Sequence, residues 1–234
     1  MNRLLRSLVF LFVLSLVAAS AAVPVYSQNG DMNDVKDKMM TKGKEMAGMG
    51  PTSATSACAL RKTLNLLLAE HVYLGAMATN AALNGNQQEF EAAAAALDLN
   101  SQALAAANGS VYGQAAADAF LPLWRKHIGF LVDYTQAVAA GDAAKKQKAM
   151  DDLMAYAKDF GAFIHSASPS LPADAVTALV EEHGKTFLLV IDEQAAGNDA
   201  KAFTDLRDAA AHMQAIGDAH AEAIVKQFPD KFQN

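Results

Sequence analysis

His71, His127 and His183 stand 56 residues apart in this 234-residue chain. Each is followed 14 residues later by a glycine (Gly85, Gly141, Gly197), and then by Asn86, Asp142 or Asn198. Neutral imidazole is the commonest protein metal ligand. Three such rings suit zinc or copper, and two on opposite faces can hold haem iron. A fourth histidine, His212, lies on the last helix in the slot that holds Tyr156 one unit earlier and Asn100 two units earlier, and is the candidate fourth ligand. Metal-bound rings need hydrogen-bond partners on their other nitrogen. Glu70, Asn100, Tyr156 and Glu182 are placed to supply them. His220 lies eight residues beyond His212 on a similar face, and His165 falls at a helix end where exposure is expected.

A plainer reading stands beside this one. Duplication copies residues whatever they do, and a buried histidine in each hairpin can simply bond a helix carbonyl. The chain also lacks other signatures. It has no Cys-x-x-Cys-His for covalent haem, and no His-x-x-x-His or Glu-x-x-His pair beside these positions for a di-iron site. Serine nucleophile elbows, phosphate-binding loops and dinucleotide fingerprints are missing too. Trp124, the single tryptophan, reads as a packing anchor rather than a substrate platform. Arg125 is within reach of Asp98 or Asp133 for an interior ion pair.

The elements that must position the histidines follow from the same spacing. A period near 50 residues without strand signals points to stacked helical units sharing a core. Leu64, Leu67, His71, Leu74 and Ala78 form one helical stripe. Phe120, Leu123, His127, Phe130 and Tyr134 repeat it, as do Val176, Leu179, His183, Thr186 and Val190. The first helix of each unit is predicted over 60–84, 116–140 and 173–196, and the second over 87–108, 143–166 and 199–228. The glycines end the first helix in a left-handed residue, and the Asn or Asp that follows caps the second. Such a short link forces an antiparallel hairpin. The second helices bury Ala94, Met150 and Leu206, then Leu97, Leu153 and Ala209, then Leu104, Phe160 and Ile216. Between units, Asn108-Gly109-Ser110 with Gly113, and Ser168-Pro169-Ser170-Leu171-Pro172, read as breakers. Pro122 falls early in its helix, where proline is tolerated. The expected fold is all-α: three tandem hairpins, about six long helices, as a closed bundle or a short open stack. Only in a closed bundle do equivalent slots meet on one axis.

Residues 1–28 read as a secretory signal, with Arg3 and Arg6 before the apolar run Leu8 to Val17 and small residues after it. That run is shorter than the ~20 residues of a membrane-spanning helix, so no span is expected in the mature chain. Residues 29–57 read as a flexible linker rich in Met32, Met39, Met40, Met46 and Met49, whose thioethers suit Cu(I) if they bind anything. Residues 58–234 form the helical domain. Without Arg3 and Arg6 the 19 basic residues fall to 17 against 25 acidic ones, a net charge of −8. This balance, with no basic patch, excludes nucleic acid as a partner. Cys58 is the only cysteine, so no internal disulfide forms. It reads as a small residue in a loop or at a helix start.

Leu68-Ala69-Glu70-His71, the run Leu123 to Tyr134, Leu171-Pro172-Ala173-Asp174 and Gln227 to Phe232 carry a resemblance to a group of secreted bacterial helical-hairpin proteins. In some of these the region is fused to a domain labelled after copper amine oxidases. The resemblance spans about residues 59–232. It implies export and hints at metal, though Thr-x-x-Asn-Tyr, the quinone-forming motif, is missing here. Taken together, the sequence leads to an exported, non-enzymatic protein holding copper, zinc or, less readily, haem iron. The alternative is a structural module that binds other cell-envelope proteins and uses its histidines as core residues. A His-centred enzyme ranks last, because no nucleophile or acid pair accompanies the rings.

Overall fold

The structure, a computed structural model, describes residues 55–233. The signal segment, the methionines of the linker and Asn234 lie outside the described residues. Among the described residues the chain forms six α-helices and one short 3-10 turn, with no strand. The helices are α1 (Ser56–Leu83), α2 (Gln87–Tyr112), α3 (Gln114–Ala140), α4 (Ala143–Ala167), α5 (Ala173–Ala196) and α6 (Asp199–Gln227), and Pro229–Lys231 follows.

The hairpin links are built as their residues dictate. Gly85, Gly141 and Gly197 hold φ of 71°, 67° and 73°. At each, the glycine N–H and the next N–H bond back to the helix: Gly141 to the Val138 carbonyl at 3.1 Å, and Asp142 to that of Ala137 at 2.9 Å. This is the Schellman closure, and it satisfies carbonyls that a helix end leaves bare. Asn86 and Asp142 then cap α2 and α4 by accepting from Glu89 N–H and Lys145 N–H. Asn198 departs from expectation, because its side chain turns back to donate to Glu193 Oε2 at 2.7 Å.

The links between hairpins differ from the reading of the sequence. Asn108-Gly109-Ser110 does not break α2, and only Gly113, at φ 93°, turns the chain. The reason is that the polar side chains bond their own helix: Asn108 Nδ2 donates to the Leu104 carbonyl, and Ser110 Oγ to that of Ala107. Pro122 lies more than two turns into α3, which continues through it on an exposed face. There the carbonyl it leaves unpaired meets water. α1 begins at Ser56, with the Thr55 hydroxyl accepting from Cys58 N–H, so the linker yields to helix slightly before 58.

Each helix packs along its neighbours in chain order, and α6 returns against α1 to close the ring. The chain reverses at each short link, so α1, α3 and α5, which also touch one another, run in the same direction around the axis. α2, α4 and α6 each pack between two of them. Alanines on the outer helices (Ala93, Ala149, Ala157, Ala209) are buried and let the helices come close. Large side chains fill the axis, among them Trp124, Phe160 and Phe187. Burying each contributes about 1.5–3 kcal/mol.

Candidate metal centre

The closed ring brings the middles of α1, α3 and α5 to one level, and the three histidines point into it. His71, His127 and His183 are 3%, 3% and 7% exposed. One ring nitrogen from each lies within 4.8 Å of the other two. For such a triangle, a point exists no more than 4.8/√3, about 2.8 Å, from all three nitrogens. Metal–nitrogen bonds of ~2.0–2.1 Å require a shift of under about 1 Å per ring. His71 Nε2 and His127 Nε2 are already 3.1 Å apart, one donating and the other accepting.

Aromatic side chains box the rings. The Trp124 indole, one turn before His127, has its centroid 4.6 Å from the His127 ring and 4.9 Å from the His71 ring. Tyr156 from α4 stacks on His127 at 5.4 Å, with 29° between planes. Phe187 sits 6.3 Å from His183 on the far side. Gly75, one turn beyond His71, makes room for it: a Cβ there would meet Phe187 Cζ at 3.0 Å. Trp124 is thus an anchor, as read, but one pressed against two of the three imidazoles.

Burial governs the electrostatics. It pushes His71 well below the ordinary histidine pKa, aided by its neighbours His127 and His183. Burial, then His183, lowers His127 to about 3, although the Trp124 carbonyl favours the charged ring a little. Burial, then His212, lowers His183 to about 4. The three rings are therefore neutral near pH 7, and each keeps a lone pair for a cation. No carboxylate or thiolate among the described residues joins the group.

The remaining residues fall elsewhere. His212 is half-buried, and its Nε2 donates to the Leu179 carbonyl at 2.9 Å instead of joining the trio. Asn100 does the equivalent on the first hairpin: its Nδ2 donates to the Leu67 carbonyl at 2.9 Å and to Glu70 Oε2 at 2.7 Å. Leu67 and Leu179 each lie four residues before a trio histidine. These side chains brace the turns that carry His71 and His183. Tyr156 in the same slot uses its ring against His127, and its hydroxyl stays buried without a partner. Glu70 and Glu182 are exposed. The Nδ1 atoms of all three histidines are buried and unpartnered, so packing, together with the Nε2 to Nε2 bond between His71 and His127, orients the rings. His165 is exposed, as expected, and meets the Leu171 carbonyl through Nδ1 at 2.7 Å. The Arg125–Asp98 pair forms, with Nε to Oδ1 at 2.7 Å, but on the surface between α3 and α2.

His220 and Asn108 complete the surroundings. His220 Nε2 donates to Asn108 Oδ1 at 2.8 Å, and burial lowers its pKa to about 4. They are the polar members of a cavity of about 60 Å³ that all six helices line and that reaches Trp124. A second, smaller cavity of about 40 Å³ lies beyond Phe187. The trio thus lies between two small cavities, one of which carries the His220–Asn108 pair. The only sequence signal for the His220–Asn108 bond was the buried-face position of His220.

No family model, curated protein or solved structure matches the chain.

Proposed function

We propose that this is an exported, non-catalytic metal-binding helical protein that holds one copper or zinc ion between His71, His127 and His183. The observation that carries the reading is the convergence of one ring nitrogen from each of three helices within 4.8 Å, in a buried layer. Their neutrality supports it, since protons compete weakly with metal for such lone pairs. Export rests on Arg3, Arg6, the apolar run to Val17 and the resemblance to secreted bacterial proteins. No helix of the described residues is long and apolar enough to cross a membrane. Haem fits poorly: the two cavities beside the trio, about 60 and 40 Å³, are too small for a macrocycle.

A ligand that binds only the folded state raises its stability by about 2.7 kcal/mol at a hundred times Kd. For a domain of this size that corresponds to roughly 5–10 °C in Tm. The test is a thermal melt with and without added ion. We expect a rise of that order in the parent protein and none in His127→Ala or His183→Ala. An equal rise in those variants, or none in the parent, refutes the reading.

A second reading has its own observation. Leu66, Tyr73 and Met77 lie on the outward side of α1 and are 67%, 46% and 52% exposed. An apolar stripe of this kind suits a module docking on another cell-envelope protein, with the histidines serving as core groups. Absence of metal together with a cooperative melt favours it.

A further inference from the structure

We infer that the trio selects copper in its monovalent state, held three-coordinate by the imidazoles of His71, His127 and His183 beside the Trp124 indole. The inference rests on the metal reading above and adds the oxidation state and coordination number.

Charge comes first. All three donors are neutral groups, and no carboxylate or thiolate among the described residues joins them. An ion entering this layer keeps its whole charge in apolar surroundings. The Born cost of burying an ion grows as the square of its charge, so a divalent cation pays about four times the penalty of a monovalent one. With neutral donors alone, that penalty stays uncompensated for a divalent ion unless a water or hydroxide joins it.

Coordination number points the same way. Zinc takes four donors, and a three-histidine zinc site fills the fourth position with water. Cu(II) prefers a tetragonal set of nitrogen and oxygen. A fourth water needs polar partners of its own. Trp124 and Phe187 crowd the trio with ring carbon, and the unpartnered Trp124 Nε1–H and Tyr156 hydroxyl are the polar atoms beside it. Three neutral imidazole nitrogens can hold Cu(I) three-coordinate without a fourth donor. The Trp124 ring centroid, 4.9 Å from the His71 ring and 4.6 Å from the His127 ring, places an aromatic group next to any ion held there. Tyr156 is the one hydroxyl close to the rings, through its stack on His127, and it is the obvious rival donor.

The experiment is an anaerobic titration of the chain with Cu(I) against a chromophoric Cu(I) chelator, with parallel titrations of Zn(II) and Cu(II). Circular dichroism checks the fold of each variant, and His183→Gln serves beside His183→Ala because it keeps the side-chain volume. We expect one Cu(I) per chain, bound at least about a hundredfold (about 2.7 kcal/mol) more tightly than either divalent ion. Binding should quench Trp124 fluorescence, and X-ray absorption should show three nitrogens. Tyr156→Phe should keep the site, and His127→Ala or His183→Gln should lose it. Zinc or Cu(II) bound at the trio as tightly as Cu(I) overturns this inference and leaves the metal reading intact. So does loss of binding in Tyr156→Phe with the fold retained. Cu(I) that survives the histidine substitutions is held elsewhere, for example by the methionines of 29–54, and also overturns it. No binding of any of the three ions defeats both.

Discussion

At the scale of single residues, the same polar type does two jobs that only the folded chain separates. His71, His127 and His183 converge, whereas His212 and His220 bond a carbonyl and an amide oxygen. Register alone marked the first three, because an equal slot on three parallel helices must meet once the ring closes. His212 looked equally apolar-faced, but its slot belongs to an outer helix, where Asn100 and His212 reach the backbone instead. Trp124 was legible as buried and not as a wall of the site, since contact between α1 and α3 is a tertiary fact. The buried imidazoles also make a titration test. Each of His71, His127, His183 and His220 has a folded pKa below the ordinary 6.5, while the unfolded chain retains it. The unfolded state therefore binds more protons between the two values. The stabilisation is full above about pH 6.5 and is lost as pH falls towards 4 and 3, at up to about 1.4 kcal/mol per pH unit for each ring. In metal-free protein the urea midpoint should be flat from pH 8 to 7 and fall steeply below 6.5. A midpoint unchanged down to pH 5 contradicts the neutrality of the rings.

At the scale of elements, helix ends were easier to read than helix continuations. The Gly-Asn and Gly-Asp links were visible because their chemistry is local: a left-handed residue, then a cap. Asn108-Gly109-Ser110 misled because these residues break helices only when their side chains and flexibility are left free, and here Asn108 and Ser110 are tied to Leu104 and Ala107. The buried slot read as Ala94, Met150 and Leu206 is filled first by Ala93, Ala149 and Asp205, with Leu206 buried beside Asp205. Asp205 survives burial there by bonding Lys201 Nζ at 2.6 Å. Glycines give a clean test of the local account. Gly141 holds φ +67°, so Gly141→Ala should cost about 1–2 kcal/mol. Gly129 has open space and ordinary helical backbone, so Gly129→Ala should be neutral or stabilise by up to about 1 kcal/mol. Gly161 is different again: its Cβ would collide with Thr177 Oγ1 and sit 2.6 Å from the Ala173 carbonyl, where α4 crosses the start of α5. Gly161→Ala should cost about 1–3 kcal/mol from overpacking. Urea unfolding of the three variants checks the order, and equal effects would contradict it.

At the scale of the whole molecule, the sequence left a closed bundle and an open stack equally available, because periodicity speaks for faces and not for which helix meets the last one. Closure is made by α1 and α6. Arg61 bonds Glu222 and lies 3.6 Å from Asp218, and Asn65 Nδ2 donates to Asp218 Oδ1 at 2.9 Å. Beside them Leu64, Ala221 and Ile224 form an apolar cluster. A ring has no spare unit, so a chain ending at 172, without α5 and α6, should lack a cooperative melt, whereas an open stack would lose only one repeat. A sharp two-state transition in that truncated chain would contradict closure. The same closure creates the site, since an open stack would space the three imidazoles along a row. The central claim is therefore that the ring builds one metal centre, and metal analysis by plasma mass spectrometry on untagged protein from its exported fraction tests it most directly. The account expects close to one equivalent of copper or zinc per chain, lost when His127 and His183 become Ala. Metal-free protein that takes up neither added ion and still melts cooperatively would contradict it and leave the three histidines as core groups of an interaction module.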